Sequence, residues 1–160
     1  YFYTSPNGAF STAQELNLKL AWDDSETLGR FALGPWLNLA YETHRTALGD
    51  FEGEGVQLGI APTLYAHDDE RIPIELTFPV ELGLSIDDYY ETGAGSNDDT
   101  FGYLSWGLTA RIPLAFLDPS WGAWAATLSS KGYFFGDSLQ QVNGGDSLQA
   151  QGVGSLSLEF

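Results

Sequence analysis

The sequence predicts an all-β fold, an antiparallel up-and-down transmembrane β-barrel of about eight strands in one domain over residues 1–160. Three features predict it. Apolar residues recur at every second position, the links between these stretches alternate in length, and the second face of the predicted strands is rich in small residues. A helix would spread alternate positions around its circumference, so this periodicity favours strands.

The longest alternating stretch covers residues 72–86 and has an apolar residue at every even position. At about 3.3 Å per residue a flat strand of this length reaches roughly 50 Å, whereas strands of soluble domains typically have about 3–10 residues. Similar alternation predicts further strands over residues 16–22, 37–42, 56–61, 104–114, 124–128 and 156–160. The sequence therefore predicts seven strands plus a stub at residues 1–4, and no segment predicts a helix.

The links between the predicted strands alternate between long and short. The long ones are residues 43–55, 87–100 and 136–149, the short ones are 67–71 and 117–120, and residues 23–30 are intermediate. Outer-membrane barrels have short periplasmic turns and longer extracellular loops on alternate ends. With the last residue at the periplasmic end, the alternation predicts that every long acidic loop lies outside.

The two faces of the predicted strands differ in composition. One is nearly all Leu, Ile, Val, Phe and Trp, and the other mixes small and amide side chains with a few charges. A soluble barrel turns its apolar face inward and a membrane barrel turns it outward. The scarcity of Lys and Glu on the polar face favours the membrane arrangement. So do aromatic residues near strand ends, which we interpret as interface girdles: Tyr89, Tyr90, Phe101, Tyr103, Trp121, Tyr133, Phe134 and Phe135.

Prolines in the strand regions oppose this interpretation, because proline donates no hydrogen bond to a sheet. Pro35 and Pro73 fit strand starts, and Pro113 fits a strand end. Pro62 and Pro79 require bulges or an interior plug.

Composition excludes several classes of protein. The 22 Asp and Glu residues against 6 Lys and Arg give a formal net charge of −16, which repels phosphate backbones and excludes nucleic acid as a partner. The absence of Cys excludes disulfides, zinc–thiolate sites and thiol catalysis. Because Met is absent, we expect either a processed mature protein or a fragment. Because residues 1–4 are too short to span a membrane, we expect further strands before them, so that the chain is the C-terminal part of a longer one. Otherwise it is an eight-stranded barrel with one clipped strand.

The C-terminal strand ends in Phe160, with Leu158 and Leu156 two and four positions earlier. This ending resembles the last strand of bacterial outer-membrane β-barrel proteins, which ends in an aromatic residue. Gly154 and Gly152 stand where that family often keeps larger apolar residues. The resemblance implies that Leu156, Leu158 and Phe160 are the signal read by the outer-membrane assembly machinery.

More broadly, the chain resembles uncharacterised porin-like barrels of Gram-negative bacteria. Residues 78–90, 101–103 and 136–146 carry this resemblance. It implies a barrel in the bacterial outer membrane that closes its N-terminal strand onto its C-terminal strand. The implied partners are outer-membrane lipid and the assembly machinery, and a homo-oligomer or a partner protein stays open.

Six charged residues are candidates for a selectivity site in the lumen: Lys19, Glu42, Glu75, Glu81, Arg111 and Lys131. Glu75 and Glu81 share a face, but six residues at about 3.3 Å each separate them by roughly 20 Å, whereas paired glycosidase carboxylates lie about 5–9.5 Å apart. Glu75 could instead pair with Arg111, and Glu81 with Lys131, across a lumen. These charges would either select ions or hold the barrel in shape.

The sequence gives little support for a metal site or a catalytic site. His44 and His67 lie at opposite ends of the fourth strand and its connections, too far apart to share a metal. No Ser-His-Asp order, HExxH, Walker or Rossmann motif occurs. The weak calcium candidates are Asp87, Asp88, Asp98 and Asp99, which supply oxygen ligands but form no EF-hand pattern. The sequence therefore predicts no catalytic centre and no cofactor.

The expected function is a passive porin-like channel or a structural barrel with acidic extracellular loops. Acidic mouths raise the local concentration of cations, although eight strands alone leave a lumen filled by side chains. The alternative is a secreted soluble β-barrel or sandwich that binds a small apolar or carbohydrate ligand, with the Leu, Ile and Val face as its cavity or core.

Overall fold

The computed structural model describes residues 2–3, 13–44, 53–67, 74–87, 89–90 and 100–159. Strands make up 64% of it and form one antiparallel sheet that curls into a half-barrel. The strands are β1 (Phe2–Tyr3), β2 (Ala13–Ala21), β3 (Trp36–His44), β4 (Gly53–Ile60), β5 (Thr63–His67), β6 (Ile74–Thr77), β7 (Val80–Asp87), β8 (Phe101–Pro113), β9 (Ala123–Phe135) and β10 (Leu148–Glu159). The prediction of an all-β, antiparallel fold is confirmed.

The ten strands occupy eight positions in the sheet. β5 extends β4, and β7 extends β6, so that these four strands form two interrupted strands. The two pair in one register throughout, since Ile60 lies opposite Val80 and Thr63 lies opposite Thr77. Every position pairs with the one that follows it in the chain, from β1 at one edge to β10 at the other. This meander places consecutive links at opposite ends of the sheet. The end where β10 finishes is called the lower end, and the other the upper end.

Pro62 and Pro79 lie in the two short breaks of these continued strands. The Pro62 carbonyl accepts a bond from the Phe78 amide at 3.0 Å, and the Pro79 carbonyl accepts one from the Gly107 amide at 2.9 Å. Each proline thus keeps its acceptor role and loses only the bond that an N–H would have donated. Because pairing keeps one register on both sides of each proline, the predicted bulge is wrong, and the interior plug stays a prediction.

The polar face of the sheet is its concave face. Lys131 on β9 reaches Glu81 on β7 across the intervening β8, and Tyr89 reaches Glu15 on β2. Side chains on a curved sheet can bridge strands that are not neighbours only on the concave side. The buried polar side chains include Asn38 and Ser105 on this face, whereas Leu16, Leu128 and Leu156 on the opposite, convex face are 68%, 61% and 69% exposed.

Two short helices correct the prediction that the chain has none. They are α1 (Ser25–Leu28) and α2 (Asp137–Val142). The carboxylate of Asp137 lies in the first turn of α2, where its negative charge interacts favourably with the positive end of the helix dipole. After the helix, Gly144 and Gly145 turn the chain with φ of 71° and 92°. Helices this short do not complete enough turns for a period of 3.6 residues to appear in the sequence.

The distribution of links also differs from the prediction. Residues 22–35 form a long link at the lower end, and this link carries Asp23, Asp24 and Glu26. The three links predicted to be long and acidic all join strands at the upper end, but this fourth long, acidic link at the lower end makes the sorting incomplete. The link is compact because the Asp24 carboxylate accepts bonds from the Leu33 and Gly34 amides, both at 3.0 Å.

The sheet is open within the described residues. No described strand pairs with the outer edge of β10, and every residue of that strand except Leu158 is exposed. The described strands therefore form a half-barrel, and the expected contact between the first and last strands is not formed among them.

Candidate functional site: the polar concave face

The centre of the concave face carries a compact charged cluster. Glu81 on β7 pairs with Lys131 on β9, whose Nζ lies 3.3 Å from Oε2. The Tyr103 hydroxyl on β8 donates to the other carboxylate oxygen of Glu81. Because β7 and β9 flank β8, these three side chains tie three strands together. The opposite charges leave this part of the wall polar and nearly neutral.

A second polar network joins the first strands of the sheet. The Asn38 amide donates to Asn17 Oδ1 at 2.8 Å and to Gln57 Oε1 at 3.1 Å, and so connects β2, β3 and β4. The Tyr89 hydroxyl, which follows β7, donates to Glu15 Oε2 on β2 at 2.7 Å. Burial and the neighbouring Glu15 carboxylate raise the pKa of Tyr89, so this hydroxyl stays a donor.

An aromatic row crosses the concave face near its upper end. It consists of Tyr89, Tyr90, Tyr103, Tyr133 and Phe135, in that order. Successive ring centroids are 4.9, 6.0, 6.1 and 5.6 Å apart, and the last two rings are stacked at 19°. Tyr89 and Tyr90 are buried, whereas the other three rings are partly exposed. The row therefore has a buried end and an accessible end.

Glycines let three rings of the row approach the sheet closely. A Cβ at Gly55 would be 2.7 Å from the Tyr89 ring, and one at Gly102 would be 2.1 Å from the Tyr90 ring. At Gly83 a Cβ would be 2.4 Å from Tyr103. Real Cβ atoms do not approach so closely, so the row requires glycine on β4, β7 and β8.

The six predicted lumen charges lie on the strands as follows. Glu81 and Lys131 come together as an ion pair. Glu75 on β6 lies directly opposite Arg111 on β8, so these two are neighbours along the wall. The Lys19 ammonium lies 4.2 Å from the Trp36 ring centroid. Glu42 is 7% exposed and lies opposite Glu15. The predicted Glu81–Lys131 pair is present as an ion pair, whereas the predicted Glu75–Arg111 pair stays a prediction supported by cross-strand register. Both pairs join strands that lie beside each other or next but one, and neither joins opposite walls of a lumen.

The interpretation of the aromatic residues as interface girdles is wrong for most of them. Phe101 and Phe134 contact each other, with centroids 6.1 Å apart, and Phe134 is on the convex face. The five members of the aromatic row lie on the concave face instead. Their sequence parity carried the signal, because Tyr103 and Tyr133 alternate in step with the polar residues Ser105 and Lys131.

The remaining predicted residues have simple positions. Leu156 and Leu158 lie opposite Ala126 and Trp124 on the convex face of β10, and Phe160 lies outside the described residues. Asp87 ends β7 and is exposed. Asp88, Asp98 and Asp99 lie outside the described residues. Within the part of the chain that the structure describes, no three His, Cys, Asp or Glu side chains cluster as metal ligands.

Comparison with known protein families, with curated proteins and with solved structures gave no match for this chain. Among the described residues, no helix has the length and apolar character needed to cross a membrane.

Proposed function

We propose that the chain forms the wall of a passive, porin-like channel in a bacterial outer membrane. In this proposal the concave face lines a water-filled interior and the convex face meets lipid. The observation that carries the proposal is the inverted distribution of polarity, with amide, hydroxyl and charged side chains buried on one face and Leu and Trp exposed on the other.

The size of the exposed apolar surface supports this proposal. Apolar side chains occupy the convex face from β2 to β10, and among the larger ones are Trp22, Leu39, Leu58, Trp106 and Leu148. Soluble monomers rarely expose contiguous apolar patches of more than a few hundred Å². The alternative, a soluble barrel that binds an apolar ligand, needs this face to line a cavity, and the described concave face is polar.

The open edge of β10 sets a further requirement. In hydrocarbon every backbone N–H and C=O group must be paired, so only closed barrels and helices span a membrane. The proposal therefore includes closure of the sheet in the membrane, with a strand along β10.

The charges of the concave face support a cation preference. On this face the described strands carry the carboxylates of Glu15, Glu42, Glu75, Glu81 and Glu159, and these outnumber the cations Lys19, Arg111 and Lys131. An excess of one sign raises the local concentration of counterions in a confined pore.

Two experiments test the proposal. The first measures detergent partition and heat-modifiable gel migration of the protein, and the second compares the stability of a matched pair of variants. We expect extraction only by detergent and a mobility shift on boiling. Leu128→Arg on the convex face should cost about 2–4 kcal/mol near the bilayer midplane, whereas Ser129→Arg on the concave face should cost little. Full solubility in buffer, or equal effects of the two substitutions, would contradict the proposal.

A further inference from the structure

We infer that the link of residues 22–35, at the lower end of the sheet, binds the headgroup of a zwitterionic phospholipid. Arg30 binds the phosphate of that headgroup, and Glu26 binds its ammonium group. The inference rests on the proposed function, since it names the lipid class that the apolar wall meets at its lower end.

The link exposes large apolar side chains although its backbone is held in place. Leu28, Phe31 and Leu33 are 43%, 68% and 41% exposed. The Leu33 amide donates to the Asp24 carboxylate at 3.0 Å, and the Leu33 carbonyl accepts a bond from the Ala61 amide at 2.7 Å. A fixed surface with several exposed apolar side chains is typical of a site that meets lipid or a partner.

Two opposite charges of the link are exposed and do not pair with each other. Glu26 and Arg30 are four residues apart, a spacing at which a continuous helix brings such side chains together. Gly29, with a φ of 55°, ends α1 between them, and neither side chain forms an ion pair with another described residue. The Arg30 guanidinium lies 4.9 Å from the Phe31 ring centroid instead. Both charges are therefore available to a ligand that carries two opposite charges.

The charges of the link favour a zwitterionic headgroup over an anionic one. A guanidinium can bind a phosphate through two parallel hydrogen bonds, and a carboxylate accepts hydrogen bonds from an ammonium group. The link carries the carboxylates of Asp23, Asp24 and Glu26 against the single cation Arg30. This excess of negative charge repels a headgroup that carries a phosphate but no ammonium group.

The position of the link agrees with this assignment. It begins where β2 ends, beside Leu20 and Trp22, which are 47% and 70% exposed on the convex face. In the proposed arrangement the apolar wall meets the headgroup region of the membrane at this level. Aromatic and arginine side chains suit that boundary, because each combines an apolar body with a polar end.

A fluorescence titration of the detergent-solubilised protein with two short-chain lipids tests this inference. The chain contains no Cys, so Thr27→Cys carries a single bimane label on the exposed surface of the link. We expect saturable binding of dihexanoyl phosphatidylethanolamine and about ten-fold weaker binding of dihexanoyl phosphatidylglycerol. Arg30→Gln in the labelled protein should weaken binding of the ethanolamine lipid by about ten-fold, since a charged hydrogen bond is lost.

Glu26→Gln separates headgroup recognition from simple insertion of the apolar side chains. It should weaken binding of the ethanolamine lipid and strengthen that of the glycerol lipid, so that the preference between them falls. Glu54→Gln is the matched control, because Glu54 is an exposed carboxylate on β4, outside the link, and it should leave the preference unchanged.

The inference is overturned if the folded protein binds neither lipid, if it binds both equally, or if Arg30→Gln binds the ethanolamine lipid as the parent does. A detergent-requiring protein without a headgroup preference contradicts this inference alone. A buffer-soluble protein that binds the ethanolamine lipid through Arg30 contradicts only the membrane proposal.

Discussion

Single residues decide how the concave face is built, because the side chains there reach over strands that are not their neighbours. Gly102 allows Tyr90 to lie against β8, and Glu81 joins Tyr103 and Lys131 from the two following strands. Each contact depends on the curvature of the sheet. Substitutions at these positions should therefore have larger effects than substitutions of the same type on β10, the open edge.

The first prediction concerns the glycine beneath Tyr90. Gly102→Ala places a methyl group 2.1 Å from the Tyr90 ring and must displace it. We expect a loss of about 1–3 kcal/mol, the usual cost of overpacking. Gly152→Ala is the control, since the nearest atom to its Cβ is the Ser129 carbonyl oxygen at 3.8 Å. Urea unfolding in detergent measures both, and equal midpoints for the two variants would contradict the packing described.

The second prediction concerns the Glu81–Lys131 pair, in which the side chains are 18% and 28% exposed. Lys131→Met leaves a half-buried carboxylate without its cation, whereas Lys131→Met with Glu81→Gln removes both charges. We expect the single variant to be less stable than the double variant, because an unpaired charge in a partly dry site is costly. A double-mutant cycle should give a coupling of about 0.5–3 kcal/mol. Purely additive effects would mean that the pair contributes nothing.

At the scale of elements, the strands show where sequence periodicity works and where it fails. Residues 104–114 alternate cleanly, and β8 runs over Phe101–Pro113. Only residues 124–128 predicted β9, and only residues 156–160 predicted β10, yet both strands are much longer. The alternation of apolar residues is interrupted in both strands, because Ser130, Gly152 and Gly154 occupy convex positions where an apolar side chain would continue it.

The sequence predicted the charged pairs of the candidate site but not its aromatic row. Charge and face assignment were enough to suggest Glu81 with Lys131 and Glu75 with Arg111. The aromatic row was not predicted. Tyr89 and Tyr90 follow β7, and they reach the rings on β8 and β9 only because the chain folds back against the curved sheet. No spacing rule along a single strand encodes such a contact.

The third prediction belongs to the link of residues 22–35. Backbone amides of Leu33 and Gly34 hold the pKa of the Asp24 carboxyl below its usual range. A lowered pKa in the folded link means that the stabilisation is present above the unfolded value of about 4 and is lost as the pH falls through the folded one. Amide hydrogen exchange should show Leu33 and Gly34 less protected in Asp24→Asn at pH 7. That difference should shrink as the pH falls below about 4 and through the folded pKa, and a difference independent of pH would contradict this account.

At the scale of the whole molecule, the central feature is a sheet that is polar inside its curve and apolar outside it. A soluble protein gains most of its stability by the opposite arrangement, because burial of apolar surface is the main favourable term in folding. The described core contains few apolar side chains: Ala40, Tyr89, Tyr90 and Ala125. Our proposal accounts for this arrangement by placing the apolar convex face in lipid.

The most direct test of this claim is a cysteine accessibility scan along β9 in lipid vesicles. The chain contains no Cys, so single substitutions at residues 126–131 carry the only thiol. We predict that a water-soluble maleimide labels the odd positions and leaves the even ones unlabelled, because a thiol that faces lipid meets neither the reagent nor the water needed to ionise it. Labelling of the even positions by the water-soluble reagent, or reactivity without alternation, would contradict a convex face embedded in lipid.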